Sequence, residues 1–204
     1  MVQWLSGIKI NHEFLRELKS KYPNTLFFAD ATQYLGTEVF DFDNSAFDVI
    51  GGSTYKWMNA GYGNALFLFK ESVAERVAPR TTGFNSIQGK YKPQEGSFLG
   101  RFEPGHQDTL NYGSLGVAID VIRQLGMKTI GEKVKTINAQ AKEAFAERGL
   151  ISKEIIDRVD HGSFFNLKGD DQLVARLRDE GIIAIARGEG VRVGFHYFNT
   201  CLLY

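Results

Sequence analysis

The chain has 204 residues, 43% apolar and 24% charged, a balance that suits a globular fold with one sizeable core or a core plus a smaller lobe. Its 24 Lys and Arg match 24 Asp and Glu, so no excess charge points to nucleic acid or an acidic membrane surface. The longest apolar runs, such as Ala65 to Phe69, fall far short of the roughly 20 residues of a membrane span, and no leader pattern opens the chain. A single cysteine, Cys201, excludes an internal disulfide and a multi-cysteine metal site. The expectation is a cytoplasmic protein without a bound metal. Apolar residues at both ends, Val2 to Leu5 and Cys201 to Tyr204, depart from the polar ends usual for a domain and point to truncation.

In chain order, Asn11 is placed to cap a helix running to about Tyr22 with Phe14, Leu15 and Leu18 on one face, and Pro23-Asn24 ends it. Leu26 to Ala29 is a wholly apolar run ending in Asp30, the pattern of a strand covered on both faces in a parallel sheet. Phe47 to Ile50 is a second such run, followed by Gly51-Gly52. Ala65 to Phe69 is a third strand. Pro79 to Gly105 has little periodicity and reads as a long surface loop. From about Asp108 the pattern turns helical, with Val117, Ala118, Val121, Ile122 and Leu125 on one face. Gly126 breaks it, and a lysine-rich helix continues to about Arg148. Ser163 to Leu167 is a strand, and Asp170 or Asp171 caps a helix that Gly181 ends. Ile182 to Ala186 and Val191 to Phe195 are further strands. The order reads as α/β, with residues 1–107 as a large domain, 108–149 as a helical connector and 150–204 as a small C-terminal α+β lobe.

The chemistry gathers after the first two strands. In a parallel sheet the strand C-terminal ends lie side by side, and ligands bind there. That arrangement brings Asp30 and Gln33 to one crevice with Ser53, Tyr55 and Lys56. A lysine amine forms a Schiff base with an aldehyde. An aspartate holds a pyridinium nitrogen protonated, and the hydroxyls of Ser53, Thr54 and Tyr55 suit a phosphate. Taken singly, a turn aspartate and a solvated lysine are the plain alternatives. Magnesium-dependent phosphoryl transfer is a weaker competitor. Asp30-Ala31-Thr32-Gln33 has no second acid, and Gly51 to Lys56 lacks the Gly-Lys-Ser/Thr end of a P-loop.

Phe28-Ala29-Asp30-Ala31-Thr32-Gln33 resembles the Asp-x-x-Gln motif of class V aminotransferase-fold enzymes, and Ser53-Thr54-Tyr55-Lys56-Trp57-Met58-Asn59-Ala60-Gly61 resembles their lysine segment. The family includes cysteine desulfurases, selenocysteine lyases, isopenicillin-N-epimerase-like proteins and kynureninases. The resemblance implies part of a pyridoxal-phosphate (PLP) transferase of fold type I, with a mixed, mainly parallel sheet and the N-terminal part missing. It implies that Asp30 pairs with the pyridine nitrogen and Gln33 bonds the ring hydroxyl. Ser53 and Tyr55 would hold the phosphate, and Lys56 would form the Schiff base and shuttle the substrate proton. Arg101-Phe102-Glu103-Pro104-Gly105 resembles a turn that reaches the partner subunit's phosphate, with His106 where threonine is usual. Val191 to Thr200 resembles the strand whose arginine grips the substrate carboxylate, which makes Arg192 the candidate. On local sequence alone, a solvent-facing strand arginine is an equal reading.

No cysteine lies between Ile182 and Arg192, where a desulfurase carries its sulfur acceptor, so desulfurase turnover is not expected. The resemblance implies a lyase, epimerase or aminotransferase acting on a small amino acid as a homodimer. The alternative is a truncated or inactive remnant of the fold without catalytic activity of its own.

Overall fold

In the computed structural model of the chain, which describes residues 1–80, 83–84 and 97–200, the helix caps fall where side-chain chemistry predicts. The Asn11 side chain accepts from the Glu13 and Phe14 N–H groups and opens α1 (His12–Lys21), satisfying donors that a first helical turn leaves unpaired. Leu15 is buried and Leu18 packs beside it. Phe14, expected on the same face, is 53% exposed, because it lies at the edge of a stripe centred on Leu15 and Leu18.

Strands β1 (Phe28–Asp30), β2 (Val49–Ser53) and β3 (Ala65–Phe69) form a mixed sheet in the order β1-β2-β3. The first pair is parallel, with Asp30 opposite Gly51, and the second is antiparallel. Both early strands begin later than their apolar runs. The Phe27 N–H is taken by the Asp48 carboxylate at 2.7 Å, which Lys19 also reaches at 2.6 Å, so regular pairing starts only at Phe28 and Val49. Gly51 and Gly52 lie inside β2 rather than after it. A Cβ on Gly52 would stand 2.7 Å from the Thr32 nitrogen, so the missing side chain lets the turn after β1 close onto β2. The expected two-sided cover of β1 is not found among the described residues: Phe28 is 57% exposed. Across this sheet, α1 and the segment through Tyr34 and Phe47 bury Ile50 and Ala31.

Within the expected loop, Leu99–Phe102 is a 3₁₀ turn, and the rings of Phe98 and Phe102 pack on Phe69. The rest of that expectation, at residues 81–82 and 85–96, lies outside the described residues. Asp108 caps α2 (Thr109–Leu125), and Gly126, at φ 82°, separates it from α3 (Met127–Glu147). On the expected apolar face of α2, Ala118 is buried, but Val117 and Val121 stay exposed. A single helical turn, α4 (Lys153–Ile156), has no counterpart in the sequence reading, since four residues carry no measurable period.

The C-terminal part holds β4 (Phe164–Lys168), α5 (Asp171–Asp179) capped by Asp170, β5 (Ile185–Arg187) and β6 (Gly190–Gly194). These strands form an antiparallel sheet in the order β4-β6-β5. Ile182, expected in a strand, instead donates its N–H to Leu177 at 2.7 Å and closes the end of α5, so β5 starts three residues later. Phe165, Leu167 and Phe195 make a second core with Ile151 and Ile155, against Phe145 and Ile137 of α3. Lys9 ties the two parts together, bonding Glu38 at 2.7 Å and Asp160 at 2.9 Å. An isolated bridge pairs Ile8 with His161. The fold is α/β, a mixed sheet followed by a small antiparallel lobe. No helix among the described residues is long and apolar enough to cross a membrane, and none of them group as three or more metal-ligating side chains.

Candidate active site

The parallel pairing of β1 with β2 carries Asp30 and Ser53 to the same end of the sheet. The turns beyond the two strands interlock. The Asp30 carboxylate accepts the Thr32 N–H at 2.8 Å, and the Thr32 hydroxyl accepts the Ser53 N–H at 3.0 Å. Burial pushes the Asp30 carboxyl up, but hydrogen bonds from Thr32 and the positive charges of the amino terminus and Lys56 outweigh it and hold the group below the usual carboxylate range. Asp30 is therefore an ionised acceptor at neutral pH.

Lys56 follows in a turn that closes with the Asn59 N–H on the Lys56 carbonyl. Asn59 takes φ 57°, a left-handed conformation that asparagine adopts more readily than most residues. Below this turn, fully buried Thr54 donates to Asn64, whose amide bonds the Asn111 carbonyl at 2.6 Å. The loop is thus pinned to the start of α2. The Lys56 amine is held below its ordinary value, first by burial and then by the Arg192 and Arg187 charges, with Asp30 opposing. A lysine so placed has a larger neutral, nucleophilic fraction than a solvated one.

Gln33 is buried, and its amide oxygen accepts the Trp57 indole N–H at 2.9 Å. Its amide nitrogen is thereby the end suited to donate to a ligand oxygen. Tyr55 is partly exposed and stacks against Tyr62, with the Lys56 Nζ 5.8 Å from the Tyr55 ring centre. Arg192 projects from the face of β6 opposite the buried Val191. One guanidinium nitrogen donates to the Trp4 carbonyl at 2.8 Å, and the group lies 5.5 Å over the Phe164 ring. Asp30, Lys56 and Arg192 therefore share one electrostatic neighbourhood. Gln33 joins it through Trp57, and Ser53 through Thr32. Tyr55 adjoins Lys56 but turns its ring toward Tyr62. His106, outside this group, stacks on Phe84, and Cys201 lies beyond the described residues.

Two contributors escaped the sequence reading. Trp57 stacks on His196, with ring centres 5.1 Å apart, and His196 stacks in turn on Phe198 at 4.4 Å. The Tyr197 N–H donates to His196 Nδ1 at 2.9 Å, so Nε2 carries the proton and donates to the Trp57 carbonyl at 3.1 Å. This link crosses 139 residues and clips the lysine turn to the end of β6. The signal available in sequence was only an aromatic after Lys56 and a histidine just past the arginine strand.

Burial, the leading cause in each case, keeps His12, His161 and His196 below the ordinary 6.5. The unfolded chain then takes up protons below about pH 6.5 that the folded chain resists, so stability falls with pH there and levels off below the folded-state values. A thermal-unfolding midpoint that drops from about pH 7 to about pH 5 is expected, with a shallower drop in His196→Gln. A flat profile would contradict it.

The sequence profile of the Aminotransferase class-V family matches residues 5–199. The chain belongs to the class V aminotransferase family. It is 21% identical over 182 residues to the uncharacterized aminotransferase YcbU of Bacillus subtilis (strain 168), covering 89% of this chain and 49% of YcbU. The fold is similar to an apo cysteine desulfurase from Thermococcus onnurineus NA1, with TM-score 0.81 and 20% identity over 98% of this chain and 55% of that one. It is also similar to an alanine–glyoxylate aminotransferase from Nostoc sp., with TM-score 0.68 and 22% identity over 95% and 54%. The chain spans about half the length of these relatives. Enzymes of this family use pyridoxal phosphate, and the donor set fits that group: an ionised acid, an amide N–H₂, hydroxyls and an amine with a lowered pKa.

Proposed function

We propose that this chain carries the lysine-bearing part of a PLP-dependent enzyme acting on an amino acid, a lyase, epimerase or aminotransferase rather than a cysteine desulfurase. The observation that supports it most is the Lys56 amine, half-buried and held below its ordinary value beside Arg192 and Asp30. When bound, pyridoxal phosphate supplies an aldehyde for covalent attachment and a ring that withdraws electrons from the substrate. Asp30 would hold a ring nitrogen proton through its ionised carboxylate, and Gln33 would donate its amide N–H to the ring oxygen. Ser53 and Tyr55 would bind the phosphate with their hydroxyls. Lys56 would anchor the aldehyde and move a proton at its Nζ. Arg192 would grip a substrate carboxylate with the fork left beside its Trp4 contact. We divide the chain into residues 1–107, 108–149 and 150–204, with the site between the first and third. A cytoplasmic homodimer is the assembly proposed.

Adding pyridoxal phosphate should give a long-wavelength absorbance band and, after borohydride reduction, a mass increment on the peptide containing Lys56. Lys56→Ala should abolish both. A wild-type band that survives in Lys56→Ala would remove Lys56 from its role. A second reading, a remnant without activity of its own, draws support from Phe28, 57% exposed, and Phe67, 62% exposed, on the small sheet. A chain that gives no band favours that reading.

A further inference from the structure

Arg187 lies beside this site, and the roles proposed above leave it without one. In the β5-β6 pairing, Ile185 is opposite Arg192 and Arg187 opposite Gly190. Directly paired residues share a sheet face and side chains alternate along a strand. Arg187 and Arg192 are therefore diagonal neighbours on one face, while Val191 points from the other into the buried side. That shared face is the one turned to the lysine turn: a Cβ on Gly194, two residues beyond Arg192 and so on the same face, would lie 3.8 Å from the Trp57 ring, and the Arg187 and Arg192 charges both bear on Lys56. Arg187 also acts on Arg192. Three cations thus gather at the lysine turn, where Asp30 opposes the two arginines in their effect on Lys56. None of Lys56, Arg187 and Arg192 forms an ion pair with an acidic side chain among the described residues. The Arg187 side chain is exposed, while its backbone is held by the β5–β6 pairing and by Asn166, which donates to its carbonyl at 3.0 Å.

Like charges gathered in excess repel one another, and an anion that bridges them relieves this. One α-carboxylate satisfies one planar fork. A second fork alongside calls for a second anionic group on the same ligand. Resting on the function proposed above, we propose that Arg187 binds a side-chain carboxylate and that the substrate is a dicarboxylic amino acid.

The test uses the 204-residue chain and three probes, succinate, butyrate and inorganic phosphate. Binding is followed by the fluorescence of Trp4, whose carbonyl receives Arg192, and of Trp57, next to Lys56. Succinate should bind the wild type about tenfold tighter than butyrate, the scale of one charge-assisted contact. Arg187→Gln should bring the two acids to near equality without weakening butyrate. Arg187→Lys, which keeps the charge, should retain part of the preference, and Arg192→Gln should weaken both acids. A wild type that does not prefer succinate, or that binds neither acid, overturns the proposal. So does a preference intact in Arg187→Gln, or a loss there that falls on phosphate instead of succinate. The absorbance assay reports separately on Lys56. A band without succinate preference rejects the dicarboxylate site alone, and succinate preference without a band rejects the cofactor reading alone.

Discussion

Phe165→Ala is expected to lower stability by about 3–5 kcal/mol, the range for truncating a fully buried phenylalanine. Phe165 is 1% exposed on β4, within the core that α3 covers. Its ring meets Phe145 of α3 edge-on at 5.5 Å, lies 6.3 Å from Phe195, and stacks on His161 at 4.8 Å. Alanine would remove transfer energy and leave a cavity that this framework cannot close, because the neighbours are held by separate elements. β4 is central to the attachment of the small lobe to α3, so the loss should appear in the main unfolding transition. For a chain of this size it corresponds to a fall in midpoint on the order of 6–20 °C. Ile183→Ala is the matched control: Ile183 is 98% exposed and should change stability by no more than about 0.5 kcal/mol. Equal losses in the two variants would sink the assignment of Phe165 to a packed core.

What could be read in the sequence followed the range of each interaction. Asn11, Asp108 and Asp170 cap helices within three residues of themselves, and a local rule finds such residues. The Asp30 and Lys56 segments were legible because each is a contiguous motif. Strand limits were not, because pairing rather than apolarity sets them: Asp48 takes the Phe27 N–H, and Ile182 closes α5. Gly51-Gly52 read as following the strand because a strand glycine has meaning only beside the backbone it lets approach. The Trp57–His196 clip and the diagonal of Arg187 with Arg192 depend on tertiary contact and on register, which no single-sequence period encodes. Lys56 itself was legible, but its lowered pKa was not. That comes from arginines 131 and 136 positions away in sequence, which act on it only after the second sheet docks.

The sharpest check on that docking is a glycine outside the motifs. Gly36 has φ 89°, and a Cβ there would lie 2.6 Å from the Trp57 carbonyl oxygen and 2.7 Å from its carbon. Gly36→Ala therefore meets two costs. The left-handed backbone costs an L-residue about 1–2 kcal/mol, and the clash is with backbone that cannot rotate away, adding about 1–3 kcal/mol as overpacking does elsewhere. Gly149 separates them: it has φ 64°, but nothing within 4 Å of the position its Cβ would take. Gly149→Ala should lose only the conformational part, about 1–2 kcal/mol, and leave cofactor uptake by Lys56 unchanged. Gly36→Ala should lose about 2–5 kcal/mol and also weaken that uptake, because the Trp57 carbonyl it displaces is the acceptor for His196. Denaturant unfolding measures the first effect, and titration with pyridoxal phosphate measures the second. If both variants lose the same stability and keep the same uptake, the close approach of the 31–36 turn to the lysine turn is not what holds Lys56 in place. If uptake falls in Gly36→Ala alone, the turn beyond Asp30 and Gln33 is the surface on which Lys56 is set.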